Sequence, residues 1–190
     1  MEADNILVQR CRSGDMKAAE AIFRRYHQTI HQVVARMLRN APETEDLVQD
    51  VFLKAFRGIE GFKGTASLKT WLTQIAINTC LNYLAKVERR YFHESLEQPI
   101  GEEGDLTLGD RLASSGPQPD EAAIASEVYR RVEEAVDKLS PEFRAVIVLR
   151  DLQDMSYEEV AEALSLNLGT VKSRLARARK QVQKWLEDLF

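Results

Sequence analysis

The 190-residue sequence has few of the features that interrupt helices, cross membranes or bind metals. It contains nine glycines and five prolines, and no apolar run approaches the roughly 20 residues of a membrane-spanning helix. The chain start lacks the charged-then-apolar pattern of a signal peptide. Cys11 and Cys80 show neither a CxxC spacing nor a histidine in a ligand pattern. We therefore expect a largely helical, cytoplasmic protein with no membrane insertion, no metal and no cofactor.

Apolar residues recur at helical spacing along most of the chain, and no segment shows the sustained two-residue alternation of a strand. The pattern predicts helices over residues 4–12, 16–39, 43–57, 67–90, 120–139, 141–149, 156–164 and 168–189. Three side chains are predicted to cap helices at their N-termini, namely Asp15, Ser67 and Ser140.

An acidic segment, residues 93–120, separates two groups of predicted helices. It contains four of the nine glycines and has no sustained apolar period, which is typical of a flexible linker. The sequence thus predicts an all-α fold of two small helical bundles, residues 1–92 and 121–190, joined by an acidic flexible linker.

The charge is distributed unevenly, although the net charge is only −4. Residues 93–126 contain one basic and eight acidic side chains. Between residues 168 and 186, by contrast, six basic side chains occur without an acid: Lys172, Arg174, Arg177, Arg179, Lys180 and Lys184. Because local clusters set the field at a phosphate backbone, the acidic total does not exclude nucleic-acid binding.

The basic cluster lies in a pattern typical of a helix-turn-helix. Ser156 and Glu159 form a predicted capping box, and a turn then leads to the longer basic helix. Val171 and Leu175 are four residues apart and can face the core. The polar side chains left for the other faces can all donate to phosphate, and they are Thr170, Lys172, Ser173, Arg174, Arg177 and Arg179. The first five are the candidate DNA contacts. A solvated basic face is the alternative interpretation, but the capping box at the right distance favours DNA.

The first half offers three polar surfaces. The third helix begins with Glu43, Glu45, Asp46, Gln49 and Asp50, which fit either the helix dipole or a protein-binding face; both interpretations stay open. The second surface is the loop Phe62, Lys63, Gly64, Thr65, Ala66 and Ser67. The third is the fourth helix, where Asn78 and Asn82 lie near basic residues, a combination that suits single-stranded DNA. Trp71 follows the apolar period and is predicted to belong to the core.

Three segments resemble extracytoplasmic-function (group 4) RNA polymerase sigma factors of the sigma-E type. They read EDLVQDVFLKAFRGIEGFKG (45–64), SLKTWLTQIAINTCLNYL (67–84) and LSPEFRAVIVLRDLQDMSYEEVAEALSLNLGTVKSRLARARK (139–180). The resemblance implies a sigma-2 domain over residues 1–92 and a sigma-4 domain over 121–190. It implies a factor that binds core RNA polymerase and directs it to promoters of a stress or envelope-response regulon, under control of an anti-sigma factor.

The resemblance also assigns roles to the candidate residues. Asp46, Gln49 and Asp50 match the segment that docks on the β′ clamp helices of the polymerase. The 62–67 loop and Asn78 match the pocket for a flipped base of the −10 element, with Asn82 one turn further along. Lys172, Ser173 and Arg177 match the readers of the −35 element. The chain has Lys172 where the sigma-E type has Arg, Ala176 where it has Phe, and Thr65-Ala66 where it has an acidic residue and Ser.

The resemblance further implies that the acidic linker enters the RNA path of the polymerase, and a passive tether is the alternative. Two other function classes fit the sequence less well. A stand-alone helix-turn-helix regulator leaves the Asn78 face unexplained. An enzyme has little support, because His27, His31 and His93 form no set with Cys or acids and the chain has no phosphate loop. No small-molecule substrate is expected.

Overall fold

All regular structure in the computed structural model is helical over the residues it describes, which are 3–97 and 121–187, with side chains for 3–90 and 127–187. The helices are α1 (Asp4–Arg12), α2 (Met16–Met37), α3 (Thr44–Gly58), α4 (Leu68–Glu97), α5 (Glu121–Asp137), α6 (Pro141–Ile147), α7 (Tyr157–Ala163) and α8 (Leu168–Glu187). A 3₁₀ turn, Ile59–Gly61, follows α3, and a π-helical turn, Val148–Leu152, continues α6. The all-α prediction is confirmed.

Most of the predicted helix starts form as the capping rules require. The Asp15 carboxylate accepts hydrogen bonds from the backbone N–H groups of Lys17 and Ala18, at 2.9 and 3.4 Å. Ser67 Oγ accepts from the backbone N–H of Thr70 at 3.0 Å. Ser140 occupies the N-cap position of α6, but its side chain makes no capping hydrogen bond.

The end of α4 differs from the sequence prediction. The helix continues to Glu97, past the predicted end near residue 90 and into the segment interpreted as a linker. Residues 98–120, which form most of that predicted linker, lie outside the described part of the chain.

The apolar stripes of the helices meet in one continuous core. Ile22, Val33, Val48 and Leu72 of the first half are at most 1% exposed, and so are their counterparts in the second half, among them Val146, Leu149, Val160 and Val171. Helix α4 packs against α6 and α7, and α2 packs against α6 and the π-helical turn, so the two halves contact each other directly. Trp71 packs against this core, as predicted.

A buried arginine lies where the two halves meet. Arg144 of α6 is 1% exposed, and its guanidinium donates to the backbone carbonyls of Val136, Asp137 and Leu139 around the α5–α6 turn. Its Nη1 also donates to the carbonyl of Met37 at the end of α2, at 2.6 Å. Burial and the charge of Arg39 lower the pKa of Arg144 to about 10.

Candidate nucleic-acid interface

The helix-turn-helix of the second half consists of α7, a tight turn and α8. Ser156 Oγ accepts from the backbone N–H of Glu159 at 3.1 Å, and the Glu159 carboxylate accepts from the Ser156 N–H at 2.8 Å, so the predicted capping box is present. Ser165 adopts a left-handed conformation, with φ of 52°, which turns the chain after α7. The N–H of Leu166 then donates to the Ala161 carbonyl at 2.9 Å and closes the turn.

Asn167 starts the long basic helix, a role that the sequence analysis missed. Its Oδ1 accepts from the backbone N–H of Thr170 at 2.8 Å and from the Thr170 hydroxyl at 2.9 Å. Asparagine immediately before a helix is a favourable N-cap, so the signal was present in the sequence. The cap fixes the angle at which α8 leaves the turn and uses the Thr170 hydroxyl in doing so.

One face of α8 is buried and the opposite face is exposed. Val171, Leu175 and Ala178 are at most 2% exposed. Of the five predicted DNA contacts, Lys172, Ser173 and Arg177 are exposed, whereas Thr170 and Arg174 are half-buried. The structure therefore leaves the first three free of the core on the surface of a helix that a groove can accept.

Two other cations of this region are held by protein groups. Arg179, part of the basic cluster, forms two hydrogen bonds with the Asp151 carboxylate, from Nη2 at 2.5 Å and from Nε at 3.1 Å. Arg150 stacks on the Tyr157 ring, with Cζ 5.2 Å from the ring centroid, and its Nη1 donates to the Met155 carbonyl at 2.8 Å. Lys172 Nζ lies 5.9 Å from the same ring centroid, so Tyr157 biases where this lysine sits.

The loop of residues 62–67 connects the 3₁₀ turn to α4. The Phe62 ring packs on Trp71, with centroids 5.1 Å apart, and Ser67 caps α4. Lys63, Gly64 and Thr65 are exposed between these two attachment points, while Ala66 is half-buried. Gly64 has φ of +72°, a conformation that favours glycine. The predicted site residues of this loop thus fall into two structural anchors and an accessible tip.

The Asn-bearing face of α4 is accessible. Asn78 and Asn82 are both exposed and lie one helical turn apart, so their amides line one side of the helix. Thr79, between them, is buried and accepts a hydrogen bond from Lys54 Nζ at 3.1 Å. The two asparagines can therefore present donors and acceptors outward while their neighbour joins α4 to α3.

The predicted polar face of α3 is exposed as a unit. Asp46, Gln49 and Asp50 are accessible, and Leu53, which the sequence analysis did not single out, follows them on the same side and is 50% exposed. Glu43 makes no side-chain capping bond at the helix start. The exposed leucine gives this acidic face an apolar side chain that a partner protein could cover.

An aromatic cluster also lies on the surface between α2 and α3. The Phe23 ring, 37% exposed, packs on Phe52 and on His27, each with centroids 4.8 Å apart. His31 follows one turn later, and its Nε2 lies 3.0 Å from a carboxylate oxygen of Glu45. Within the described residues, no group of His, Cys, Asp and Glu side chains could hold a metal ion.

The halves also contact each other close to these surfaces. Gln74 of α4 donates to Ser165 Oγ in the helix-turn-helix turn at 3.1 Å, and Lys69 Nζ donates to the Gln153 carbonyl at 3.4 Å. Arg36 of α2 pairs with Glu133 of α5 at 2.5 Å.

None of the described helices is both long and apolar enough to cross a membrane.

Comparison with known proteins finds the same two segments that carry these surfaces. Residues 22–90 match the family model of sigma-70 region 2, and residues 129–182 match that of sigma-70 region 4. The ECF RNA polymerase sigma-E factor of Haemophilus influenzae is 35% identical over 98% of this chain and 97% of its own. The RNA polymerase sigma-H factor of Pseudomonas aeruginosa is 31% identical over 100% of this chain and 96% of its own.

A solved structure shares the fold. The sigma factor RpoE of Bartonella quintana, in complex with the anti-sigma factor NepR, aligns with a TM-score of 0.63 and 23% identity. The alignment covers 88% of this chain and 96% of that chain.

Proposed function

Because the chain belongs to the extracytoplasmic-function RNA polymerase sigma factors, we propose that its two halves divide promoter recognition between them. Sigma factors are transcription initiation factors that bind core RNA polymerase and recognise promoters. Residues 1–92 act as the sigma-2 domain, residues 93–120 as the linker and residues 121–190 as the sigma-4 domain. The observation that carries this division is that α8 and α4 expose separate sets of polar side chains.

The −35 element is read by α8. Lys172 and Arg177 are exposed cations that can donate to guanine O6 and N7. The Ser173 hydroxyl donates to the Thr170 carbonyl at 3.0 Å and can exchange that bond for one to a base edge or a phosphate. Thr170 and Arg174 flank them and contribute phosphate contacts, for which the Thr170 hydroxyl exchanges its hydrogen bond to Asn167 Oδ1 for one to phosphate. The Lys172 ammonium cannot form the paired, coplanar hydrogen bonds that an arginine guanidinium forms with guanine. It therefore discriminates between bases less well than an arginine in its place would.

The −10 element is recognised and melted by the first half. A base flipped from the non-template strand is held by the 62–67 loop and Asn78, and Asn82 binds the strand one turn further along α4. Amide groups can pair with the edge of an unstacked base, and the gain in contacts offsets the cost of unstacking. Melting then needs binding energy alone and no nucleotide hydrolysis.

Core polymerase binds the exposed face of α3. Asp46, Gln49 and Asp50 contact the β′ clamp helices, and Leu53 supplies an apolar contact among them. Replacing Asp46 by Lys is expected to reduce retention by core polymerase in a pull-down, because it reverses a charge within this face. Glu60→Lys is the matched control, since it makes the same charge change at an exposed residue of the 3₁₀ turn. Equal losses from both variants would contradict the assignment.

An anti-sigma factor is the proposed regulator, and the protein acts in the cytoplasm. The relative RpoE was solved with such a factor bound. In this chain an open apolar groove of about 680 Å³ lies between α5, α6 and α8 and is lined by Val132, Val136, Ile147 and Val182. A surface of this kind, together with Leu53, suits a partner that masks both halves.

The experiment that tests the proposal is run-off transcription with core polymerase on a genomic fragment library. We expect transcripts that depend on this protein and share two sequence elements at a fixed spacing upstream of their starts. A transcript set identical to that of core polymerase alone would contradict the proposed function.

A further inference from the structure

Arg12, the last residue of α1, contacts the segment that leads into the 62–67 loop. Its Nε donates to the Ile59 carbonyl at 3.2 Å, and its Nη2 donates to the Phe62 carbonyl. These two carbonyls lie at the start and just past the end of the 3₁₀ turn. Among the described residues, Arg12 has no carboxylate partner. The guanidinium thus donates to backbone carbonyls that are about 50 residues away in the sequence, and not to carbonyls of its own helix.

Helix α1 is itself firmly attached to the rest of the first half. Leu7 and Val8 are 1% and 3% exposed in the core. At the other end of the helix, the Asp4 carboxylate accepts hydrogen bonds from Arg25 and from the Tyr26 hydroxyl, both on α2. Because α1 is anchored at both places, Arg12 at its end can hold the Ile59–Phe62 segment in a fixed position.

The loop has only a few other attachments. On one side the Phe62 ring packs on Trp71, and on the other Ser67 caps α4. The residues between them, 63–65, are exposed. Without Arg12, the Phe62 end would keep its ring contact and the 3₁₀ hydrogen bond from its own N–H to the Ile59 carbonyl, at 3.3 Å.

We propose that Arg12 is a positioning residue for −10 recognition, which holds the Phe62 end of the base-binding loop in its binding conformation before DNA arrives. The inference rests on the proposed function of that loop. A loop that is already ordered loses less conformational entropy when it binds, so the flipped base is captured more tightly. An arginine suits the task because its planar fork can donate to two acceptors at once, which a lysine ammonium does less well.

The competing explanation is a direct contact between Arg12 and a promoter phosphate. The positioning role and the phosphate contact predict different effects of Arg12→Lys. A phosphate contact needs mainly the charge, so Arg12→Lys would preserve it. A bridge between two carbonyls needs the fork, so Arg12→Lys would behave like Arg12→Gln. A lost phosphate contact would also lower the salt dependence of promoter binding by about one unit of slope.

The structural half of the inference is tested on the full chain without DNA or polymerase. Amide relaxation by NMR is compared for the wild type, Arg12→Gln and Arg12→Lys. Arg24→Gln serves as the matched control, because Arg24 is an exposed arginine of α2 whose ion pair among the described residues is with Glu20 at the surface. We expect order parameters for residues 62–66 to fall from about 0.85 to below about 0.6 in both Arg12 variants and to stay unchanged in the control. Unchanged loop order in Arg12→Gln would overturn the inference.

The functional half is tested with reconstituted holoenzyme on a promoter identified by run-off transcription. We expect Arg12→Gln and Arg12→Lys to reduce open-complex formation about tenfold, the usual scale for losing a charged hydrogen bond, with −35 duplex binding and the salt slope unchanged. Full activity of Arg12→Lys, or a reduced salt slope in Arg12→Gln, would overturn positioning in favour of a phosphate contact. If Asn78→Ala has no effect in the same assay, the proposed function fails, and the loop-order measurement still decides the role of Arg12.

Discussion

The guanidinium of Arg144 donates a 2.6 Å hydrogen bond to the backbone carbonyl of Met37, 107 residues earlier in the chain. The same side chain holds three carbonyls of its own half. One buried residue therefore both closes the α5–α6 turn and joins the second half to the end of α2.

Replacing Arg144 by Met should destabilise the protein strongly. The substitution leaves several buried carbonyls without a donor, and the free energy of unfolding should fall by about 3 kcal/mol. Denaturant titration of the full chain measures this. Arg130→Met is the control, because Arg130 is exposed and its ion pairs among the described side chains are with Glu127 and Glu134 on its own helix. Equal destabilisation by the two variants would show that the Arg144 hydrogen bonds contribute little.

Arg177→Ala and Lys172→Ala should weaken binding to a −35 duplex by about tenfold or more, the scale of a lost base contact. A gel shift at fixed salt checks this. Arg179→Ala removes the same charge from the same helix, but Arg179 is already bound to Asp151 and should matter less. If Arg179→Ala weakened binding as much as Arg177→Ala, general charge rather than base contact would explain the affinity.

Asn78→Ala should weaken open-complex formation and leave −35 duplex binding nearly intact, because the exposed amide of α4 is assigned to the melted strand. Gln9→Ala, which removes an exposed amide from α1, is the control and should change neither measurement. Equal loss of both activities in Asn78→Ala would rule out the division of labour between the halves.

The two cysteines should differ sharply in reactivity. Cys80 is fully buried, and burial raises the pKa of its thiol to about 12, so almost no thiolate is present near neutral pH. Cys11 is half-buried, and burial raises its pKa as well. Iodoacetamide should label Cys11 slowly and Cys80 only after unfolding, and Cys11→Ser should then show no labelling of the native protein. Labelling of both thiols at similar rates would contradict the burial of Cys80.

The raised pKa of Cys80 also gives a pH dependence. The folded state favours the protonated thiol of Cys80 over the thiolate. The stability that this side chain contributes is therefore fully present below the pKa of the unfolded thiol, which is about 9. That contribution is lost as the pH rises from about 9 towards 12. Denaturant titrations of Cys80→Ala and the wild type should therefore converge at high pH, and a constant difference across this range would contradict the assignment.

Local chemistry was predictable from the sequence. The predicted caps form at Asp15, at Ser67 and at the Ser156–Glu159 box, because a cap depends only on residues two or three positions away. The apolar period likewise identified the buried face of α8. Phe23 also follows the apolar period of α2 but stays partly exposed, because the rings of His27 and Phe52 pack beside it without enclosing it.

Contacts to distant main-chain atoms were not predictable. Arg12 and Arg144 both donate to carbonyls, and a carbonyl has no signature in a sequence because every residue has one. In the sequence, Arg144 is a polar residue among the apolar residues of a predicted helix. The pairing of Arg179 with Asp151, which removes one cation from the basic cluster, also depends on how α8 packs beside the π-helical turn.

The continuous core described above ties the folding of the two halves together. The junction around Arg144 adds directional hydrogen bonds to that shared apolar interior. Neither half can then lose its structure without uncovering apolar side chains of the other, so we expect heat or denaturant to unfold the chain as one cooperative unit. Trp71 in the first half and Trp185 in the second are therefore two optical reporters of a single transition.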